Sequence, residues 1–423
     1  MQEKKDSGID WVGYIPKNWR VLRNKHNFTL EKELVGVKWE ETQLLSLTKN
    51  GIKAINDGEQ TGKVPTSFVT YQKVRKNDLV MCLFDLDCSA VFSGLSSIDG
   101  MISPAYKCFK CKPHIHPQYV DFYFQTVFAG RKYMRYSKNV RYSISADEFL
   151  GLPIIVPLIE EQIKIASFLK QRCEEIDDLT SDIEKQLALL DEYRKSVITE
   201  CVTRGIDDSK EMKESGVAWC PSIPSDWVVT NPKALFKLRN QKASEGERQL
   251  TASQEYGIIY QDDYMEITGN KVVTVEKDFS ILKHVEPNDF VISMRSFQGG
   301  LEYSELSGSI SSAYVMLIPD KQQVYPPFYR WFFKSSKYIN AIQSTTNLVR
   351  DGQAMRYANF IKVPLFIIPV DEQKRIAEHL DVTVKEIDDI RAKKQEQLDI
   401  LEQYKKSMIF EYVTGKKEVP ING

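Results

Sequence analysis

Two polar loops hold the side chains best suited to chemistry with another molecule. The first runs Ser137-Lys138-Asn139-Val140-Arg141-Tyr142-Ser143; the second runs Thr345-Thr346-Asn347-Leu348-Val349-Arg350-Asp351-Gly352-Gln353, with Arg141 and Arg350 aligned at an offset of 209. An arginine flanked by amides and hydroxyls is the inventory that base edges in a DNA groove require, arginine for guanine and asparagine or glutamine for adenine. The candidates for base or phosphate contact are Lys138, Asn139, Arg141 and Tyr142 in the first loop and Asn347, Arg350 and Gln353 in the second. Shorter turns add Lys49 and Lys53, and also Arg295 and Gln298 from Arg295-Ser296-Phe297-Gln298-Gly299-Gly300. Each of these also reads as an ordinary solvated loop or strand turn.

Other constellations fail on spacing. Cys108-x-x-Cys111-x-x-His114-x-His116 looks like a zinc set, yet structural sites draw ligands from separated knuckles, and the repeat counterpart Val315-Met316-Leu317-Ile318-Pro319 has none. A strand leading to a helix at Pro117 is the expected reading. Tyr325-Pro326-Pro327-Phe328 lacks the Asn, Asp or Ser that opens an amino-methyltransferase loop, and no glycine-rich cofactor loop stands upstream. Gly58-Glu59-Gln60-Thr61-Gly62-Lys63-Val64 is one residue too short for a phosphate-binding loop and has no Ser or Thr after Lys63. With five histidines and no Ser/His/Asp arrangement or nuclease carboxylate cluster, the sequence offers no catalytic constellation. The expectation is a noncatalytic binding protein with no metal or cofactor of its own.

What positions the loops is an internal repeat, which sets the architecture first. Ser7-Gly8-Ile9-Asp10-Trp11 and Ile15-Pro16-Lys17-Asn18-Trp19 return as Ser215-Gly216-Val217-Ala218-Trp219 and Ile223-Pro224-Ser225-Asp226-Trp227, at an offset of 208. Further on, Glu161-Gln162 answers Glu372-Gln373, Ile176-Asp177-Asp178 answers Ile387-Asp388-Asp389, and Tyr193-Arg194-Lys195-Ser196 answers Tyr404-Lys405-Lys406-Ser407, at an offset of 211. Between them the copies diverge, although Asn77-Asp78-Leu79-Val80 still answers Asn288-Asp289-Phe290-Val291 and Ala105-Tyr106 answers Ala313-Tyr314. A shared frame with a divergent interior suggests two versions of one binding module. Each copy alternates short strand-like runs with turns and then gives an aromatic helix opened by proline, Pro117 through Phe128 and Pro326 through Phe333. The module is expected to be α/β with a mixed or antiparallel sheet.

After a proline-bearing strand, each copy ends in a heptad helix. The seam reads Leu169, Cys173, Ile176, Thr180, Ile183, Leu187, Leu190, Arg194, Val197, Cys201 in one and Leu380, Val384, Ile387, Arg391, Lys394, Leu398, Leu401, Lys405, Met408, Tyr412 in the other. A helix from Glu160 to Val202 would be about 65 Å long, whereas the connector from Thr203 to Glu214 reaches about 40 Å at most. The second module should therefore lie near the far end of the first helix, and the second helix should return beside it, antiparallel, with a module at each end of the pair. A homodimer zipper is the competing reading. The expected boundaries are 1–157 for the first module, 158–207 for the first helical spacer, 208–369 for the second module and 370–423 for the second spacer.

The chain has 423 residues, is 42% hydrophobic and 27% charged, and carries a net charge of −1, which suits a soluble globular protein of several domains. Charge is uneven: 22 basic against 16 acidic residues in 1–157, but 8 against 13 in 158–210. A polyanion would meet the modules rather than the helices. The polar N-terminus and short apolar runs predict no signal peptide, no membrane span and a cytoplasmic location. Seven cysteines without a regular framework predict reduced thiols.

Taken together, the opening Gly-x-x-Trp and Ile-Pro-x-x-Trp, the Glu-Gln-x-x-Ile-Ala of Glu161–Ala166 and Glu372–Ala377, and the duplicated helix resemble the specificity subunits of type I restriction-modification systems. The resemblance implies an α/β fold of two pseudo-two-fold related target recognition domains separated by a long antiparallel two-helix coiled coil. It implies a partner in double-stranded DNA, read as a bipartite asymmetric target. It also implies two methyltransferase (modification) subunits, which bring S-adenosylmethionine, and restriction/translocase subunits that join them. Contact residues in this family are not a fixed motif, so Arg141 and Arg350 rest on position. The alternatives are a protein-binding coiled-coil scaffold and a specificity subunit of a related methylation-based defence system.

Overall fold

The computed structural model describes residues 3–48, 51–56, 66–89, 92–137, 142–275, 281–345 and 355–420. The chain divides into two compact units: Met1–Ile183 with Glu396–Gly423, and Glu184–Gln395. The boundaries fall inside both long helices, so each unit holds a module together with a stretch of each helix.

Each unit is built on a four-stranded antiparallel sheet of the same order. In unit 1 the strands run Phe28–Glu31, Lys107–Cys111, Leu79–Met81, Ser93–Leu95; in unit 2 they run Phe236–Leu238, Val315–Pro319, Phe290–Ile292, Glu302–Tyr303. Leu79 and Met81 face a large aromatic core while Val80 faces a smaller one with Leu45, Leu47 and Ile52. Phe290 and Ile292 divide from Val291 in the same way in unit 2. Burial on both faces explains why these strands read as continuous apolar runs rather than alternating ones. Before each strand, Asn77 (φ 71°) and Asn288 (φ 76°) take the left-handed conformation that asparagine tolerates. The Asp78 and Asp289 carboxylates close the same turn by accepting from the Arg75 and Glu286 backbone N–H groups at 2.8 and 3.0 Å. The Cys108 and Cys111 positions belong to the strand; Cys108 sits in the smaller core, and His114 bonds Asn27 at 3.1 Å.

Proline opens the aromatic helices, Pro117–Ala129 and Pro326–Phe332, where its missing N–H costs nothing. Tyr119, Tyr123 and Phe124 in one and Phe328, Tyr329 and Phe332 in the other are fully buried, each contributing roughly 1.5–3 kcal/mol of apolar burial. The strands Pro153–Val156 and Leu365–Ile367 pair with Arg20–Arg23 and Val228–Thr230, next to the repeated tryptophans, and lead into the long helices Ile159–Arg204 and Val370–Val413. Gln162 and Gln373 lock these entries. Gln162 accepts from the His116 N–H and donates to the His114 and Pro157 carbonyls at 2.9–3.0 Å; Gln373 does the same with Tyr325, Gln323 and Ile368 at 2.8 Å.

The heptad seam appears in the burial. Cys173, Ile176 and Cys201 are buried and Thr180, Ile183, Leu187, Leu190, Arg194 and Val197 partly so, while their neighbours Leu179 and Leu189 are exposed. In unit 1 the Phe168 ring meets Tyr412 at 4.7 Å and Lys405 pairs with Asp177 at 2.5 Å, so the helices run antiparallel. In unit 2 Arg194 pairs with Asp388 at 3.1 Å and Arg391 with Asp191 at 2.7 Å. Asp177 and Asp388 are repeat partners, as are Arg194 and Lys405. Each unit thus pairs one repeated motif with the other. These pairs are partly exposed, so Asp388→Asn should cost less than about 1 kcal/mol in low salt and almost nothing in high salt. Urea titrations at two ionic strengths check this, and a larger loss unaffected by salt would contradict it.

Candidate DNA interface

In unit 2 a hairpin tip and the end of a helix meet the turn that follows the central strand. The central strand runs into a turn in which the Ser293 N–H donates to Ser296 Oγ at 2.9 Å, and the short helix Ser296–Gly299 follows. Arg295 and Gln298 stand on this turn, exposed. At the tip of the hairpin Leu250–Ser253/Gly257–Tyr260, Gln254 donates to the Arg295 carbonyl at 3.3 Å. From the helix Ser336–Gln343, Gln343 Nε2 donates to the Phe297 carbonyl at 2.6 Å, just before the polar loop begins at Thr345. The loop's far end is anchored by Met355, buried in the large core.

Unit 1 builds the same convergence with other side chains. Its turn, 82–89, is braced by Arg131, whose Nη1 donates to the Leu86 and Ser89 carbonyls at 2.9 Å. Leu86 and Phe297 correspond at the repeat offset of 211, so a guanidinium in one unit and an amide in the other hold the same carbonyl. The polar loop's end is tied to this turn, the Leu86 N–H donating to the Tyr142 carbonyl at 3.2 Å and the Ile144 N–H to the Leu83 carbonyl at 2.9 Å. Tyr142 is exposed, with φ 46°. Lys53 is exposed on the outer strand of the hairpin Leu45–Thr48/Gly51–Ala54, whose Ile52 packs in the same small core as Cys82.

Of the residues expected to touch DNA, Lys53, Tyr142, Arg295 and Gln298 are placed on or beside these clusters. Lys49, Lys138, Asn139, Arg141, Asn347, Arg350 and Gln353 lie outside the described residues. The braces Arg131 and Gln343 carry no sequence signal, because an Arg or Gln within a helical stretch reads as a solvent-facing side chain. A cavity of about 600 Å³ in unit 2 is a weaker candidate. Three of its lining cations are already paired: Arg194 with Asp388, Arg330 with Asp381 and Lys334 with Glu302. Among the described residues no group of three or more His, Cys, Asp or Glu side chains is placed to hold a metal ion, and no helix is long and apolar enough to cross a membrane.

No protein-family model matches the chain. It is 27% identical over 293 residues to the putative type I restriction enzyme MjaX specificity subunit of Methanocaldococcus jannaschii, covering 66% of this chain and 62% of that protein. It is 23% identical over 284 residues to the MjaVIII specificity subunit of the same organism, covering 64% and 63%. Over 212 residues it is 26% identical to the EcoKI specificity subunit of Escherichia coli K12, covering 46% and 44%. The matched stretches span less than two thirds of these relatives' own lengths. Among solved structures, a chain from work on complex assembly and conformational transition of the type I R-M system superposes with a TM-score of 0.69 at 12% identity, covering 95% of this chain and 99% of that one. The HsdS subunit of Thermoanaerobacter tengcongensis gives 0.52 at 13% identity, covering 95% and 98%. In sequence the chain is a relative of the type I restriction enzyme specificity subunits, and it has the fold of their solved structures.

Proposed function

We propose that this chain is the DNA-specificity subunit of a type I restriction-modification complex, each unit reading one half of a split, asymmetric duplex sequence. One observation carries the reading: in both units residues flanking the polar loop brace the turn at the end of the central strand on a common frame, yet with different side chains. Reading unlike half-sites needs that combination, since the frame positions the contacts and the displayed residues specify the bases. Methyl transfer in this reading belongs to partner subunits that bind S-adenosylmethionine, and cutting to restriction/translocase subunits that join them in the cytoplasm.

The long helices supply a surface for two copies of one partner. Leu179, Leu189 and Tyr193 are 54%, 63% and 56% exposed, and their repeat counterparts Ile390, Ile400 and Tyr404 are 44%, 57% and 57% exposed. Unit 1 holds Leu179, Ile400 and Tyr404; unit 2 holds Ile390, Leu189 and Tyr193. These side chains lie off the heptad seam, and exposed apolar side chains repeated at matching positions mark protein interaction sites. The double substitution Leu189→Asp, Tyr193→Asp should therefore leave the fold intact and weaken one of two bound methyltransferase subunits by about 30-fold or more. Native mass measurement of the assembled complex would show one copy in place of two; two retained copies would remove this surface from the account.

A further inference from the structure

Within the divergent interiors, one short turn is built alike in both units, and the proposed function gives it no task. In unit 1 Ser103 Oγ accepts from the Ala105 N–H at 3.4 Å, and the Tyr106 N–H donates to the Ser103 carbonyl at 3.2 Å. In unit 2 Ser311 Oγ accepts from the Ala313 N–H at 3.3 Å, and the Tyr314 N–H donates to the Ser311 carbonyl at 3.1 Å. The tyrosine carbonyl is then braced from the same place in each copy. Gln72 Nε2 donates to Tyr106 at 2.9 Å and Lys283 Nζ to Tyr314 at 2.6 Å, and residues 72 and 283 correspond at an offset of 211. An amide and an ammonium thus do one job, as an arginine and a glutamine do at Leu86 and Phe297.

Three matching hydrogen bonds in each unit fix where this tyrosine stands, and its ring is half-buried. Among the described residues neither phenolic hydroxyl has a hydrogen-bond partner, and neither is enclosed. The Tyr106 ring adjoins the strand-end turn, and the Tyr314 ring packs against the smaller core of its unit, which includes Leu250 and Val291. Tyr106 stacks on Phe84 with centroids 6.0 Å apart and planes 27° from parallel, and Tyr314 lies within the electrostatic reach of Arg295. Core packing alone would account for the rings but would leave two like-placed hydroxyls unused.

We infer that Tyr106 and Tyr314 are a matched pair of DNA-backbone anchors, each donating its hydroxyl to a phosphate oxygen of the half-site its unit reads. The inference rests on the function proposed above and adds a division of labour. The tyrosine is the same in both units because phosphates are the same in every sequence. Its neighbours differ, Phe84 in one unit and Arg295 in the other, because the bases differ.

The test uses the full chain assembled with its methyltransferase subunits, with Tyr106→Phe and Tyr314→Phe made separately. Binding is measured at several salt concentrations to three duplexes: the recognised sequence, one altered in its first half and one altered in its second. Each variant should bind all three about tenfold more weakly, leaving the preference among them intact. The salt slope should also stay unchanged, because a neutral hydroxyl releases no counterion. Arg295→Ala, by contrast, should change the preference at the second half only. Affinities within twofold of the parent, or a changed preference at one half-site in a Tyr→Phe variant, would overturn the inference alone. A parent complex that does not distinguish the three duplexes would overturn the proposed function and the inference with it.

Discussion

Gln373→Leu lowers the stability of unit 2 by roughly 3 kcal/mol or more, because it removes one side chain that satisfies three backbone groups at once. Gln373 is fully buried. Its Oε1 accepts from the Tyr325 N–H, and its Nε2 donates to the Gln323 and Ile368 carbonyls, each at 2.8 Å. Leucine fills similar volume but pairs with none of them, and a backbone group left unsatisfied in a buried setting costs about 1–3 kcal/mol. Those groups join the start of the long helix, the strand that precedes it and the residues that open the aromatic helix. Loss of the lock therefore loosens the entry of the helix and the core together. Gln162→Leu should reproduce the effect in unit 1, where the same three bonds are made. Urea unfolding followed by tryptophan fluorescence reads both. A midpoint shift worth less than about 1 kcal/mol would show that water replaces the amide without loss.

Gly300→Ala should be as damaging, by about 4 kcal/mol, and its effect should fall on the second half-site. Gly300 ends the short helix that carries Gln298, with φ 78° and ψ −169°, a region open essentially to glycine alone. A Cβ built there overlaps the Phe333 carbonyl oxygen, backbone that cannot swing aside, with Ile339 at 3.5 Å behind it. Either the Arg295–Gly300 turn or the aromatic helix must shift. Gly269→Ala is the control: its φ of 69° is comparably left-handed, but no atom lies within 4 Å, so only about 1–2 kcal/mol of backbone strain is expected. In the assembled complex, Gly300→Ala should abolish discrimination at the second half-site while the first is read normally. Stability equal to that of Gly269→Ala would mean that the overlap is relieved elsewhere.

The helices were legible because their signal is long. The heptad positions from Leu169 to Cys201 and from Leu380 to Tyr412 mark the less exposed side of each helix, and helix one, expected from Glu160 to Val202, runs Ile159–Arg204. Proline and the aromatic runs placed the helices at Pro117 and Pro326 to within a residue or two. The sheet was harder, since strands of three residues buried on both faces show no alternation; the run Asp78–Leu83 yields only Leu79–Met81 as strand. The long helices' role also exceeds what periodicity reveals. A seam says that a partner exists, but not that Ile198, Cys201 and Val202 join the core of the second module or that Met408, Ile409 and Tyr412 join that of the first. Arg295 and Gln298 were singled out by residue type, and the structure places them exposed on the strand-end turn. Arg131, Gln343, Gln72 and Lys283 were not, because bracing a carbonyl is a matter of three-dimensional placement.

The most direct test of the central claim is single-molecule methylome sequencing of cells that express this chain with its methyltransferase, compared with cells from which the chain is deleted. The expected result is one split adenine-methylation motif, present with the chain and absent without it, whose two halves are unlike. Exchanging unit 1's strand-end turn should alter one half and spare the other. An unchanged methylome after deletion would contradict the account and leave the chain as a scaffold for protein partners.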